Sequence, residues 1–107
     1  EWSNAVMEIG IGYQESVDRA MEVIVELANE LRQDSVYGEY ITDKPDMLGV
    51  DRFAESGVVI KLLLKTRPDK MWPVKREMLR RIKNRFDELG IEIPVPLQDI
   101  FKKKTNP

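Results

Sequence analysis

The amino-acid sequence predicts an α+β domain of the ferredoxin-like type, in which the element order β-α-β-β-α-β gives a four-stranded antiparallel sheet with two helices on one face. Three observations support this prediction. Apolar side chains alternate over residues 5–13, which is typical of a strand with one buried face. Two later segments carry apolar side chains at helical spacing. Short apolar segments bounded by glycine or proline lie between and after them, and we interpret these as the other strands.

The first strand and the first helix follow from their periodicity. The residues expected on the buried face of the strand are Ala5, Met7, Ile9, Ile11 and Tyr13. Ser16 can cap a helix. The negative charge of Asp18 in the first turn interacts favourably with the positive end of the helix dipole. We therefore predict a helix from Val17 to about Gln33. Its apolar stripe consists of Val17, Ala20, Met21, Ile24, Leu27, Ala28 and Leu31.

The next two strands are predicted on either side of a short turn. Met47–Phe53 is the second strand, with Leu48 and Val50 on one face. Gly57 belongs to the turn, where a tight hairpin favours a positive φ angle. Val58–Thr66 is almost continuously apolar, so we expect this third strand at the centre of the sheet.

The second helix is bounded by capping signals. Asp69 can cap its start, and Pro73 suits its first turn. Gly90 is a typical residue just beyond a helix C-terminus. The predicted buried stripe consists of Val74, Met78, Leu79, Ile82, Phe86 and Leu89.

A fourth strand is predicted after the second helix. Ile91, Ile93 and Val95 alternate with polar residues or proline. Because Pro94 and Pro96 have no N–H group to donate, this strand is expected at an edge of the sheet.

The composition fits a single domain and excludes several chemistries. The chain has 107 residues, of which 42% are hydrophobic, and its formal net charge is −2. It has no cysteine and no histidine, which excludes disulfides, thiol catalysis and histidine-based triads or metal sites. No apolar run approaches the length of about 20 residues that a membrane-spanning helix needs. The residues expected to be fully buried are Ile24, Ile60, Ile82 and Phe86.

Two loop features are candidate binding sites. Gly10 and Gly12 lie between a predicted strand and a helix, where a phosphate group can bind, but the third glycine of such motifs is missing and no cation follows until Arg19. The alternative is that something packs closely against the sheet at these glycines. The acidic residues in the predicted loops and second strand do not have the spacing of a calcium-binding loop. They are Asp43, Asp46, Asp51 and Glu55.

The two predicted helices differ in charge. The first carries four acidic and two basic residues, and the second carries six basic and three acidic residues. The basic residues could contact nucleic acid, but readers of RNA with this fold stack bases on aromatic strand residues, and only Tyr13 and Phe53 are available. Opposite charges would instead favour contact between the two helices or between neighbouring subunits. An acylphosphatase-like enzyme would need an arginine directly after the first strand, and this sequence has none there. We predict no nucleic-acid partner, no catalytic, cofactor-binding or metal-binding residues, and therefore no enzyme.

Several short motifs together resemble one protein family. The first is residues 2–9, followed by Tyr13 and residues 17–20. Later ones are residues 43–45, 55–58 and 72–77. Residues 90–96, Gly-Ile-Glu-Ile-Pro-Val-Pro, complete the series. In this order and spacing they resemble the cytoplasmic segment of the small-conductance mechanosensitive channel (MscS) family, over about residues 2–98.

The resemblance implies a function and a division of the chain. In the family, seven copies surround a cytoplasmic vestibule below a pore that opens under membrane tension and relieves osmotic shock. The pore lies in transmembrane helices upstream of this segment, so no gate residue is assigned here. Residues 1–4 would be the end of an upstream β-domain or a linker, residues 5–101 the ferredoxin-like domain, and residues 102–107 a flexible basic tail. The isolated segment is expected to be soluble at the cytoplasmic face of the cell (inner) membrane, and a monomer or weak oligomer.

A second function remains open from the sequence. Stand-alone ferredoxin-like domains can be regulatory modules that bind a small molecule between two subunits, and nothing in the composition excludes this function.

Overall fold

The computed structural model describes residues 1–95 and has three strands and two long helices in this part of the chain. The strands are β1 (Ser3–Gly12), β2 (Asp46–Phe53) and β3 (Gly57–Thr66). The helices are α1 (Val17–Arg32) and α2 (Met71–Leu89), with short 3₁₀ turns at Gly38–Tyr40 and Pro68–Lys70.

The sheet is antiparallel and has the order β1-β3-β2. β1 pairs with β3 over its whole length, from Ser3 opposite Thr66 to Gly12 opposite Gly57. β3 is therefore the central strand, as its apolar sequence predicts. α2 packs on β1, and α1 packs nearer β2, so the two helices cover one face of the sheet side by side.

The core between the sheet and the helices agrees with the predicted stripes. All four residues predicted to be fully buried are at most 1% exposed. Thr66 is the one polar side chain that is buried in the described part of the chain, and its hydroxyl group donates to the carbonyl oxygen of Arg67 at 3.0 Å. The core is thus almost entirely apolar.

The helix ends follow local rules with one exception. Ser16 caps α1 as predicted, since its hydroxyl oxygen accepts from the N–H of Arg19 at 3.1 Å. Gly90 has φ +74° beyond α2, and the N–H of Ile91 donates to Phe86 O at 2.9 Å, which is the Schellman arrangement. Asp69 was predicted to cap α2 but lies in the preceding 3₁₀ turn, and Lys70 at the N-cap makes no side-chain cap.

The predicted fourth strand is not formed in the described residues. Ile91 and Ile93 are buried, and the N–H of Gly12 donates to Glu92 O at 3.0 Å. Residues 91–94 nevertheless have no strand structure, and Val95 is 73% exposed. Proline at position 94 removes a main-chain donor, which disfavours a regular ladder in this segment. Pro96 lies outside the described residues.

The second strand also differs from its prediction. Its pairing with β3 shifts register twice, between Met47 and Gly49 and again near residue 51, and Gly49 has φ +99° at the first shift. Such bulges disturb the alternation of buried and exposed side chains. Leu48 and Val50 are therefore 50% and 42% exposed instead of sharing one buried face.

Gly57 and Tyr13 also differ from their predictions. Gly57 is the first residue of β3 and does not have a positive φ angle, because the turn closes through the N–H of Ala54 donating to the carbonyl oxygen of Gly57 at 2.8 Å. Tyr13 lies one residue beyond β1 and is 53% exposed, with its hydroxyl group donating to Ala54 O. This hydrogen bond ties the end of β1 to the hairpin.

Candidate functional site

The glycine pair at the end of β1 is already occupied by protein contacts. The N–H of Gly12 donates to Glu92 O, and its carbonyl accepts from Glu15 N at 3.0 Å. The carboxylate of Glu15 accepts from the N–H of Glu92 at 2.9 Å, so this corner carries two acidic residues. Because these carboxylates repel anions and Gly12 has no free N–H, the geometry does not support a phosphate site.

The acidic residues in the loops and second strand do not converge on a metal site. The described residues contain no group of three or more His, Cys, Asp or Glu side chains that could hold a metal ion. The carboxylate of Asp43 accepts a hydrogen bond from the N–H of Lys44 at 2.8 Å. Asp51 instead pairs with Arg52 at 2.9 Å and Lys61 at 3.4 Å.

The open face of the sheet carries a charge cluster across all three strands. Arg52 on β2 reaches Glu8 on β1 at 3.1 Å, over the central strand. The hydrogen bond from Arg52 lowers the pKa of Asp51, and Glu8 and Asp51 raise the pKa of Arg52. This face thus presents acidic and basic side chains paired with one another. Phe53 does not share it, because the register with β3 places Phe53 opposite the core residue Val58. The open face does not have the aromatic surface of an RNA-binding sheet.

A second charge cluster links α2 to the segment after α1. Glu77 accepts hydrogen bonds from Arg80 at 2.7 Å and from Arg81 at 2.8 Å. Arg81 also reaches Asp34 at 3.0 Å, 47 residues away in sequence. These contacts lower the pKa of Glu77 to about 2, chiefly through the hydrogen bonds from Arg80. This cluster is not among the features predicted from the sequence, although the spacing of three and four residues on a helix indicates the contacts of Glu77 with Arg80 and Arg81.

The pKa of Asp34 is lowered for a different reason. Its carboxylate accepts from the main-chain N–H groups of Tyr37 at 3.0 Å and Val36 at 2.8 Å, and these two hydrogen bonds are the main cause. Asp34 thereby holds the connector after α1 in place. Its contact with Arg81 makes the cluster a structural bridge, because it connects the segment after α1 to α2.

One concave feature of the described surface is an open depression on α1 of about 640 Å³. The described residues that line it are Asp18, Met21, Glu22, Val23, Val25 and Glu26. It is open and acidic, and it contains no candidate nucleophile. No helix among residues 1–95 is both long enough and apolar enough to cross a membrane.

Comparison with known proteins identifies the family. The model of the family "Mechanosensitive ion channel MscS, C-terminal" matches residues 5–93, from within β1 to the segment after α2. The chain belongs to the MscS family. This match covers both helices and nearly all of the three strands.

Two relatives place the MscS segment within longer proteins. The small-conductance mechanosensitive channel of Caldanaerobacter subterraneus subsp. tengcongensis is 31% identical over 104 residues, which is 95% of this chain and 36% of that protein. The crystal structure of Helicobacter pylori MscS in the closed state has a similar fold, with a TM-score of 0.72 and 21% identity. It covers 87% of this chain and 35% of that one. The chain thus spans about a third of the length of these relatives.

The family resemblance predicted from the short motifs is therefore confirmed, and so is the assignment of the chain to a mechanosensitive channel family. An α+β fold with an antiparallel sheet and two helices is confirmed as well. The family model and the Caldanaerobacter relative are both named as mechanosensitive channels, which favours the prediction that the chain is not an enzyme.

Proposed function

We propose that this chain forms the cytoplasmic C-terminal domain of a mechanosensitive channel, where copies of it wall a vestibule below a tension-gated pore. The observation that carries this proposal is the family match over residues 5–93. The geometry is compatible with a wall element, since the core is apolar and the polar clusters hold the fold together. In the longer protein the channel would release ions and solutes under membrane tension and protect the cell from osmotic shock.

The proposal includes assembly, location and the division of the chain. We infer a homo-oligomer of seven copies in the longer protein, at the cytoplasmic face of the inner membrane. Residues 1–4 would connect to an upstream β-domain, residues 5–101 would form the domain, and residues 102–107 would be a basic tail. The free segment would be a monomer or a weak oligomer, because tethering in the membrane supplies a high effective concentration that the cut chain lacks.

Patch recordings on the longer parent protein test this function. The parent is reconstituted in liposomes, and suction is applied to excised patches. We expect a ring of copies whose pore opens below the tension that ruptures the bilayer. A parent that forms rings but never conducts at such tensions would overturn the proposal. A chain that instead forms a tight dimer with a metabolite between its subunits would support the regulatory-domain alternative, which no observation currently favours.

A further inference from the structure

We propose that two opposite flanks of the domain form a head-to-tail contact between neighbouring copies of this chain. The acidic flank lies on α1 and consists of Asp18, Met21, Glu22 and Val25. The basic flank lies on α2 and consists of Trp72, Arg76, Leu79 and Lys83. The inference rests on the proposed function and deepens it, since it names the surface and the partner through which copies would meet.

The position of the helices on the sheet separates the two flanks. β1 and β2 are the outer strands of the described sheet, α2 packs on β1, and α1 lies nearer β2. Arg19 marks the side of α1 that faces α2, because its guanidinium donates to Leu89 O at 3.3 Å. At 100° per residue, Glu22 lies about 60° round the helix from Arg19, at the solvent-facing edge of the flank. Asp18, Val25 and Met21 lie about 100°, 120° and 160° round the helix from Arg19. They therefore face away from α2.

The same reasoning applies to α2. Arg81 marks the side of α2 that faces the end of α1, because it pairs with Asp34 at 3.0 Å. Trp72, Leu79 and Lys83 lie about 160–180° round the helix from Arg81. The two flanks therefore point in opposite directions, as a contact repeated around a ring requires.

The charges on the two flanks are complementary, and most of them are not neutralised within the described part of the domain: Lys83 pairs with Asp87 at 2.6 Å, but the other charged residues of the flanks have no such partner. Asp18 and Glu22 are four residues apart on α1, are exposed, and form no ion pair with a described residue. On α2, the carboxylates of Glu77, Asp87 and Glu88 all pair with cations of their own helix. Arg76 is exposed and has no ion-pair partner in the described part of the chain. The acidic flank of α1 thus contains no cation, and it faces away from α2, which carries more basic than acidic residues.

Each flank also offers apolar surface for the centre of a contact. Trp72 is 55% exposed, and the amino group of Lys75 lies 5.1 Å from the centre of its ring. Met21 and Val25 are half-buried and border the depression on α1. An exposed tryptophan is a frequent centre of binding energy when it enters a concave surface. We assign Trp72 of one copy to the depression on α1 of the next, with Arg76 close to the carboxylates.

A second copy of this chain is the partner that fits these features. The contact joins two different surfaces that each occur once per chain, and such heterologous contacts generate rings when the rotation between copies closes. Charge complementarity within one sequence favours this partner over an unrelated protein or a nucleic acid, which would meet only one of the two flanks.

Charge reversal on each flank, followed by mixing, tests the contact. The variants are Glu22→Arg and Arg76→Glu, and sedimentation velocity is measured up to about 1 mM, the effective concentration typical of tethered copies. We expect weak association of the unaltered chain, weakened about three- to tenfold by either reversal. An equimolar mixture should restore it, because each altered flank then meets an opposite charge on the other variant. The matched controls Glu39→Arg and Lys44→Glu change the same charge elsewhere and should leave association unchanged.

Three outcomes would overturn the inference. The unaltered chain could show no association at this concentration, the controls could weaken association as much as the flank variants, or the mixture could fail to recover it. Association that persists in Arg76→Glu but not in Glu22→Arg would also overturn it, because Arg76 would then take no part in the contact. A parent channel that conducts while the mixture fails would leave the proposed function intact and reject only this surface.

Discussion

Replacing Glu77 by Gln tests the ion-pair cluster that connects α2 to the segment after α1. The Glu77 side chain is only 13% exposed and accepts three hydrogen bonds, two from Arg80 and one from Arg81. Arg81 carries the cluster on to Asp34. Glutamine keeps the shape of the side chain but removes its charge, so the variant weakens these hydrogen bonds without creating a cavity.

The pKa of Glu77 sets the size and the pH range of the effect. It falls from 4.5 to about 2 in the folded chain, mainly because Arg80 stabilises the carboxylate. A shift of this size corresponds to roughly 3 kcal/mol at most. The Arg80 side chain is 60% exposed, so solvent screening reduces the expected loss to about 1–2 kcal/mol. Because the folded pKa is lowered, the stabilisation is complete above pH 4.5 and is lost as the pH falls through about 2.

Urea unfolding followed by circular dichroism measures this effect. At about pH 7, Glu77→Gln should lower the free energy of unfolding by about 1–2 kcal/mol, and by about pH 3 the difference from the unaltered chain should shrink by more than half. Glu88→Gln is the matched control, because Glu88 also pairs with an arginine of α2, at 2.8 Å, but is 64% exposed. The reasoning is refuted if both variants lose the same stability, or if acid leaves the Glu77→Gln difference unchanged.

Four further predictions concern the core, a helix end, the acidic flank and ligands. Ile82→Ala should lower the free energy of unfolding by about 2–5 kcal/mol in urea titrations, and an unchanged midpoint would contradict its burial. Gly90→Ala should lower the free energy of unfolding by about 1–2 kcal/mol, because φ +74° is unfavourable for an L-residue. An unchanged free energy of unfolding would contradict this left-handed conformation. Glu22→Arg should stabilise the isolated domain by a few tenths of a kcal/mol, since it turns two like-charge contacts, with Asp18 and Glu26, into attractive ones. Thermal-shift titrations with nucleotides and divalent metals should give no saturable response, and a clear response to a nucleotide would revive the phosphate-site hypothesis.

The positions of both helices and of all three strands in the described sheet could be predicted because their determinants are local. The apolar stripe of α1 and the cap at Ser16 require only the neighbouring residues, and so does the left-handed position of Gly90. The exposed surface of β2 could not be predicted in this way. Its bulges depend on how Gly49 and its neighbours pair with the central strand, and pairing is a tertiary property that alternation alone does not determine.

Contacts at the surface could likewise be predicted where they depend on residues close in sequence, and could not be predicted where they depend on the fold. The absence of histidine and cysteine excluded most catalytic chemistry directly from the sequence. The contacts of Glu77 with Arg80 and Arg81 follow from helix spacing, but the contact of Arg81 with Asp34 requires the fold. The direction of the two flanks likewise requires the strand order, because the sequence shows opposite charge on the helices without showing which sides meet.

The charges on the two helices have different effects on the stability of one copy and on the attraction between copies. α2 places acids and bases three or four residues apart, which stabilises an isolated helix. α1 repeats acids at the same spacing through Asp18, Glu22 and Glu26, which costs a single copy a few tenths of a kcal/mol per pair. A basic residue at position 22 would remove that cost and would also remove the charge that faces Arg76 of a neighbour. Stability and association should therefore change in opposite directions in Glu22→Arg, so a loss of association in this variant could not be attributed to unfolding.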